Sequence, residues 1–455
     1  MKPWDPSVKP YKQIKRKSKL NIQLSPPAVL FLGFILLIFV GAGLLMLPMA
    51  STVETPLIKA LFTATSAVTV TGLVVVDTGS HFTTFGQVVI AGLIQAGGLG
   101  FMTFAVVAAI SLGARLGLSQ QIVMKEALDQ TSMEKVVQTA KFVLCYSFVI
   151  ELVGFVLLTL VWLNEYGLGE SAYQAFFYTL SAFNNAGFAL RSDSLSAYSA
   201  SFSINAIITA LFIIGGIGFA VLIDIKTHKH WRRLSVNTRI VLSATLAINL
   251  IAFFLIWLLE ANNPKTLGAL PLGEQALTAW FQAVTPRTAG FNTLPIEHLT
   301  DASTTLTILL MFIGGGSLST ASGLKLGTFI VLIMTTYTFL RRRTRVTVLN
   351  RTIPQVQVLK ALSLAIISIG MIFIGIFILT AIEKAPFLDI VFEVVSALST
   401  VGLSRGLTGQ LSDTGEVIII FMMIVGRVGP LSFAYFLATP KPRKVQYADA
   451  EIQVG

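Results

Sequence analysis

The amino-acid sequence predicts an all-α integral membrane protein of four covalently linked units, each a span, a re-entrant half-membrane helix, a glycine-centred turn and a second span. Three observations carry this expectation. Of the 455 residues 54% are hydrophobic and 12% charged, and the mean hydropathy of +0.78 lies well above that of soluble domains. Lysine and arginine gather in alternate loops. Four short polar stretches, each centred on a glycine, recur at nearly constant spacing.

Apolar runs of about 20 residues, the length that crosses a bilayer, begin near Ala28, Gly86, Thr139, Ser203, Ile240, Thr304, Val358 and Glu416. Eight spans are expected. The first follows a basic tail and continues without a small-residue cleavage motif before Leu47 and Pro48, so it reads as an anchor and not as a removed signal peptide. The lone Cys145 falls inside an apolar run and reads as a packed core thiol.

The net charge of +11 is explained by topology. Lys2, Lys9, Lys12, Lys15, Arg16, Lys17 and Lys19 precede the first span, and Arg115, Lys125, Lys135 and Lys141 fall between the second and third. Lys226, Lys229, Arg232, Arg233 and Arg239 lie between the fourth and fifth; Arg341, Arg342, Arg343, Arg345, Arg351 and Lys360 between the sixth and seventh; Lys441, Arg443 and Lys444 after the eighth. Thus 25 of the 33 basic residues share one side. The positive-inside bias puts both termini in the cytoplasm, and nothing is left over to suggest a nucleic-acid partner.

The other four connections each open with about 12 residues of helical character, "IKALFTATSAV", "AYQAFFYTLSAF", "QALTAWFQAVT" and "FLDIVFEVVSAL", too short to span. Each leads into a polar turn: "TVTGL", "NNAGF", "RTAGF" and "STVGL". The central glycines, Gly72, Gly187, Gly290 and Gly402, mark a unit of roughly 110 residues repeated four times. Non-helical backbone at membrane depth is tolerated where it lines water or is buried in protein. Four such turns about one axis make a pore, whose carbonyls replace the hydration shell of a cation. Glycine permits the positive φ that turns those carbonyls inward. Thr69, Thr71, Thr288, Thr400, Asn184 and Asn185 either add side-chain oxygens or brace the strand from behind, and the sequence leaves both open. A carbonyl ring without a nearby carboxylate suits a large monovalent ion better than a divalent one. Potassium is the expected ion.

The expected division is a cytoplasmic N-terminal tail (1–25), repeat 1 (26–113), a connector (114–138), repeat 2 (139–226), a connector (227–239), repeat 3 with a broken last span (240–340), a connector (341–356), repeat 4 (357–438) and a C-terminal tail (439–455).

"FTATSAVTVTGLVVVDTGSHFT", "SAFNNAGF", "QAVTPRTAGFN", "STVGLSRGLT", "QAGGLGFMTFA" and "GRVGPL" together resemble the Trk, Ktr and HKT superfamily of potassium transporters, and within it the KtrB-type membrane subunit, from about residue 25 to the end of the chain. The resemblance implies a short filter with one glycine per strand. Its best-formed ion site would be made by the residues just before each glycine. Carried over, the filter set is Val70, Thr71, Gly72, Asn185, Ala186, Gly187, Thr288, Ala289, Gly290, Thr400, Val401 and Gly402.

Three of the second spans are rich in glycine. "GGLGF" and "GGIGF" read as close helix packing. "GGGSLSTASGLKLG" is too polar and too flexible for a lipid-facing helix, and predicts a break in span six able to obstruct a pore below the filter; the resemblance supports an intramembrane loop there. The expected gate comprises Gly314, Gly315, Gly316, Ser317, Ser319, Thr320, Ser322, Gly323, Lys325 and, in span eight, Arg427. A charge inside a span is expensive enough to mark function. The resemblance places Arg427 under the filter, where it would tune occupancy and limit conduction. Glu151 reads as a structural partner within the bundle and Glu393 as a tie between the fourth half-membrane helix and its turn. Asp77, Arg191, Arg287 and Arg405 are either filter braces or solvated rim charges.

Enzyme signatures are thin: the sequence holds no HExxH and no GxxxxGK[ST]. "HKHWRR" reads as a solvated turn. Lacking a nucleotide motif, the chain would depend on a partner for control. The resemblance implies a KtrA-type ring of nucleotide-binding RCK subunits docked on the cytoplasmic face of a homodimer, in a bacterial plasma membrane, with sodium as a candidate coupling ion. The stretches 118–137 and 341–351 and the C-terminal tail are expected docking or dimer surfaces. An alternating-access carrier is disfavoured, since it would show two-fold inverted repeats and not four turns at one depth.

Overall fold

The computed structural model describes residues 26–100, 103, 133–430 and 433. The expected N-terminal tail, most of the 114–138 connector, most of the 118–137 stretch and the C-terminal tail lie outside the described residues.

Thirteen helices of eight residues or more organise the described chain, and the order of their lengths sets the architecture. The first group is α1 (Pro26–Leu45), α2 (Leu57–Val68) and α3 (Thr84–Gly98). In the second, a long helix α4 (Met133–Phe183) is interrupted by non-helical backbone at Gly167 (φ +74°), and is followed by α5 (Phe202–Ile217) and α6 (Phe219–Thr227). The third contains α7 (Val236–Glu260), α8 (Leu272–Val284), α9 (Asp301–Phe312) and α10 (Leu326–Leu340). The fourth is α11 (Gln355–Ile382), α12 (Phe387–Ser399) and α13 (Asp413–Val428). α4, α7 and α11 are long and apolar enough to cross a membrane.

Local chemistry explains the boundaries. The half-length helices α2, α8 and α12 follow Pro56, Pro271 and Pro386, which cannot continue a preceding hydrogen-bonded turn. At 12 or 13 residues they reach about 18–20 Å, well short of a bilayer core. The helices after each turn open on a hydroxyl cap: Thr83, Ser201, Thr300 and Ser412 each accept from a backbone N–H three residues on. Such a cap answers one of the orphan donors of a helix start. Glu260 adds a strut by accepting from both the N–H and hydroxyl of Thr300, as Glu383 does for Ser412.

The packing runs round a ring. α3 packs on α4, α5 on α8, α9 on α12, and α13 returns to α2. At that last seam Lys59 of α2 pairs with Glu416 of α13, which is wholly buried. The apolar core lies between the half-length helices and their neighbours, with Phe62, Phe177, Phe183, Phe281 and Phe392 fully buried. Large apolar side chains on the outer faces of α1, α4, α7 and α11 are exposed, as lipid-facing surfaces are.

Three features differ from the sequence expectations. The fourth span is bent by 91° at Gly218, whose φ of +106° no helix accommodates. Cys145 is exposed and not a core thiol: an apolar run in a membrane protein includes its lipid-facing side. The connector 341–356 carries a small antiparallel ribbon, Thr347–Val348 with Arg351–Thr352.

Candidate functional site

Each of the four glycine-centred turns has the same backbone. Val70, Asn185, Thr288 and Thr400 have φ of +49°, +58°, +71° and +49°, and two residues later Gly72, Gly187, Gly290 and Gly402 have φ of +94°, +68°, +79° and +90°. Non-glycine residues in this region cost about 1–3 kcal/mol each, most for β-branched side chains. The surrounding structure therefore holds these turns against their own preference.

The holding groups sit in or at the end of the helix that precedes each turn: α2, the last part of α4, the C-terminus of α8, and α12. Backbone N–H groups of Thr71, Ala186, Ala289 and Val401 donate to carbonyls of Ser66, Ser181, Thr285 and Ser396 at 2.8–2.9 Å. The hydroxyls of Ser66 and Ser396 accept from the N–H of Gly72 and Gly402 at 3.0 and 3.2 Å. Those of Ser181 and Thr285 donate to the carbonyls of Phe188 and Phe291. Sequence reasoning missed these four residues, although a serine six positions before three of the glycines is visible once the turns are aligned.

The turns converge. A Cβ placed on Gly72 would lie 2.4 Å from the carbonyl oxygen of Ala186; on Gly187, 3.0 Å from that of Ala289; on Gly290, 2.4 Å from that of Val401; on Gly402, 2.1 Å from that of Thr71. Each glycine thus abuts the carbonyl of the next turn, and the fourth closes on the first. All four glycines line one cavity of about 290 Å³. Its rim includes Asp77, Arg191 and Glu297.

The two asparagines turn away from the ring. Asn184 Nδ2 donates to Gln95 Oε1 at 2.6 Å and to the carbonyl of Leu180 at 3.0 Å, while Gln95 Nε2 donates to Glu151 Oε2 at 3.0 Å. Asn185 Oδ1 accepts from the Thr320 hydroxyl at 2.9 Å. Both side chains brace the second turn.

Between α9 and α10 the chain leaves helical geometry over residues 313–325 and inserts against the bend of α5 and α6. Gly316 N–H donates to the carbonyl of Gly216 at 2.8 Å, and Phe219 N–H to that of Leu318 at 2.8 Å. Gly314 N–H meets the carbonyl of Leu324 at 2.9 Å, closing the neck of the loop. A Cβ on Gly316 would sit 1.8 Å from the carbonyl of Ile217, and one on Gly218 2.3 Å from that of Ser317. The "GGIGF" segment is the seat of this loop, beyond plain helix packing. By contrast, Gly97 and Gly98 pack against Val68 and Asn184.

A second cavity, of about 280 Å³, is lined by Leu318, Ser319, Ser322 and Gly323 of the loop with Lys325 and Arg427. Lys325 Nζ donates to the carbonyl of Ala321 at 2.6 Å. Arg427 bridges the loop to α3: its guanidinium donates to the Thr320 carbonyl and the Ser322 hydroxyl, and to the carbonyls of Gly97 and Gly98. The cavity lining contains these two cations and no carboxylate among the described residues.

The remaining charged candidates separate. Arg287 is buried and donates to Asn249 Oδ1 at 3.1 Å and to the Gly314 carbonyl at 3.4 Å, so it is a brace. Arg405 pairs with Asp389 at 2.6 Å and donates to Thr304 at 2.7 Å. Arg191 pairs with Asp193 at 3.0 Å on the exposed rim. Glu393 accepts from Ser404 and Thr408. Near the rim, the ring of His81 hydrogen-bonds Thr55 at 2.9 Å, and its partial burial lowers its pKa below 6.5 against the opposing pull of Asp77. His228 of "HKHWRR" is half exposed and pairs with Asp224 at 2.8 Å.

With this geometry in hand, comparison with known proteins is decisive. Residues 29–447 match the family model "TrkH: Cation transport protein". The chain belongs to this family. Among TrkH-family relatives, it is 45% identical to Ktr system potassium uptake protein B of Bacillus subtilis (strain 168), over 95% of this chain and 98% of that one. It is 42% identical to the Vibrio alginolyticus protein of the same name, over 94% and 95%. The potassium/sodium uptake protein NtpJ of Enterococcus hirae is 36% identical over 96% and 99%. The solved potassium transporter TrkH from Vibrio parahaemolyticus superposes with a TM-score of 0.74, at 20% identity, over 93% of this chain and 86% of its own, which establishes the TrkH-type fold. The family consists of membrane transport proteins and not of enzymes.

Proposed function

We propose that this chain is the potassium-translocating subunit of a Ktr-type uptake system in a bacterial plasma membrane. The observation that carries the reading is the closed ring of four positive-φ glycines, each against the carbonyl of its neighbour. A potassium ion in the ring would be coordinated by backbone carbonyls of Val70, Thr71, Asn185, Ala186, Thr288, Ala289, Thr400 and Val401, with each glycine allowing the approach. Such a ring substitutes for the ion's hydration shell. Eight spans in four repeats, with both termini cytoplasmic, accommodate the charge distribution.

The 313–325 loop, with Lys325 and Arg427, acts as a gate beneath this filter. Its polar backbone at membrane depth requires protein or water around it, and two positive charges oppose a cation passing there. Opening would carry the loop off its seat on Gly215, Gly216 and Gly218. Regulation falls to a cytoplasmic KtrA-type RCK ring on a homodimer, a reading supported by relatives named as parts of a Ktr system. Sodium is the proposed coupling ion, supported by the relative named for potassium and sodium uptake.

The test is rescue of a potassium-uptake-deficient bacterium at low external potassium, with the partner supplied. Absence of rescue by protein present in the membrane would overturn the reading. Flux into liposomes with and without sodium decides the coupling.

A further inference from the structure

Two of the four filter turns are tied directly to the intramembrane loop. Asn185, at the positive-φ position of the second turn, accepts from Thr320 Oγ1 at 2.9 Å. The tie runs through a tight seat. A Cβ on Gly215 would lie 3.0 Å from both Asn185 Oδ1 and Thr320 Oγ1, and Thr320 N–H donates to the Gly215 carbonyl at 3.3 Å. In the third turn, Arg287 immediately precedes the positive-φ residue Thr288. Its guanidinium reaches the carbonyl of Gly314, at the neck of the loop, at 3.4 Å, and is anchored behind by Asn249 of α7. No carboxylate pairs with Arg287 among the described residues. The first and fourth turns make no hydrogen bond to the loop among the described residues.

Moving the loop therefore has consequences in the ring. Both ties must break, leaving the Asn185 amide oxygen without its Thr320 partner and the Arg287 guanidinium with Asn249 alone inside the protein. Buried polar groups resist that loss, so the two turns favour the seated loop only while their own geometry is intact. Such a relation is reciprocal: whatever changes the turns biases the loop, and whatever moves the loop changes the turns.

We infer that Asn185 and Arg287 are positioning residues that couple ion occupancy and selectivity of the filter to the seating of the gate, through Thr320 and Gly314. This rests on the filter and gate reading above and adds that the two are one cooperative element. Filter ions thereby help to set the gate from the side opposite the cytoplasmic partner.

The experiment uses the full chain with its partner in liposomes, in a Cys145→Ser background, with a thiol placed on the exposed loop residue Ser317 as Ser317→Cys. Reaction of that thiol with a water-soluble reagent is timed in potassium chloride and in choline chloride, and rubidium uptake is measured in competition with sodium. In the parent, potassium should change the thiol reaction rate by about fivefold or more, the lower end of ordinary allosteric coupling. Thr320→Val, which keeps the volume but removes the hydroxyl, should reduce that dependence to less than about twofold and shift the rubidium-to-sodium preference. Thr320→Ser should restore both. A potassium dependence equal in parent and Thr320→Val, or a rise in uptake rate with unchanged ion preference, would overturn the coupling while leaving the filter reading intact. A parent that transports no potassium would instead remove the filter reading itself.

Discussion

A Cβ on Gly290 would stand 2.4 Å from the carbonyl oxygen of Val401, so the glycine of the third turn directly limits an oxygen of the fourth. Gly290→Ser must move either the strand at φ +79° or that oxygen. Strain of this kind is about 1–3 kcal/mol, and a shift of about 1.4 kcal/mol is tenfold in an equilibrium. Potassium over sodium preference should fall by about tenfold or more, measured by competitive uptake in liposomes. An unchanged preference would show that the ring does not select the ion.

Ser396→Ala should loosen the fourth turn. Its hydroxyl accepts from Gly402 N–H at 3.2 Å, and an unpaired buried donor costs about 1–3 kcal/mol. The apparent affinity for potassium should weaken by about tenfold with a smaller change in maximal rate. Concentration dependence of uptake checks this; a change confined to maximal rate would count against the role.

Arg427→Gln should raise flux. The guanidinium fastens Thr320 and Ser322 to Gly97 and Gly98, and hydrogen bonds of charged groups contribute about 1.5–3 kcal/mol each. Under the proposed filter and gate reading, releasing the loop and removing this cation both act in one direction. Partial deletion within 314–323 should do the same, and a lower rate in folded protein would sink the gate assignment.

Lys59→Met should destabilise the seam between the first and last helix groups, since Glu416 is left buried without its partner. Breaking such a pair costs about 3–5 kcal/mol, toward the lower figure because the Lys59 side chain is 25% exposed. A second change, Glu416→Leu, should recover most of the loss in thermal unfolding of the detergent-solubilised protein.

His81 gives the rim a pH signature. Burial favours its neutral form and lowers its pKa below 6.5. A lowered folded value means stability that is complete above about pH 6.5 and is lost as pH falls through the lower folded value. His81→Gln should flatten the decline in melting temperature between pH 7 and 5; an identical decline in the variant would show that other groups carry it.

The turns and the half-length helices before them were legible because both signals are local: a glycine among small polar residues, and an apolar stretch too short to span. The hydroxyl caps at Thr83, Ser201, Thr300 and Ser412 are equally local, although the sequence reading did not single them out. The side-chain directions of Asn184 and Asn185 were not, since their partners Gln95 and Thr320 are 89 and 135 residues away. Arg287 remained ambiguous between brace and rim for the same reason. The bend at Gly218 was read as packing because the segment that fits it, beginning at Gly314, lies about a hundred residues later. Cys145 shows that an apolar run does not say which of its faces meets lipid.

The junction of Thr71 with Gly402 joins positions separated by 331 residues. At a synthesis rate of about 5–20 residues per second, the fourth strand emerges roughly 15–65 s after the first. Until then three quarters of the ring stand without the quarter that closes it. A nascent chain that has not reached the fourth turn consequently has an open ring, and the proposed ion site is completed only when that turn is made.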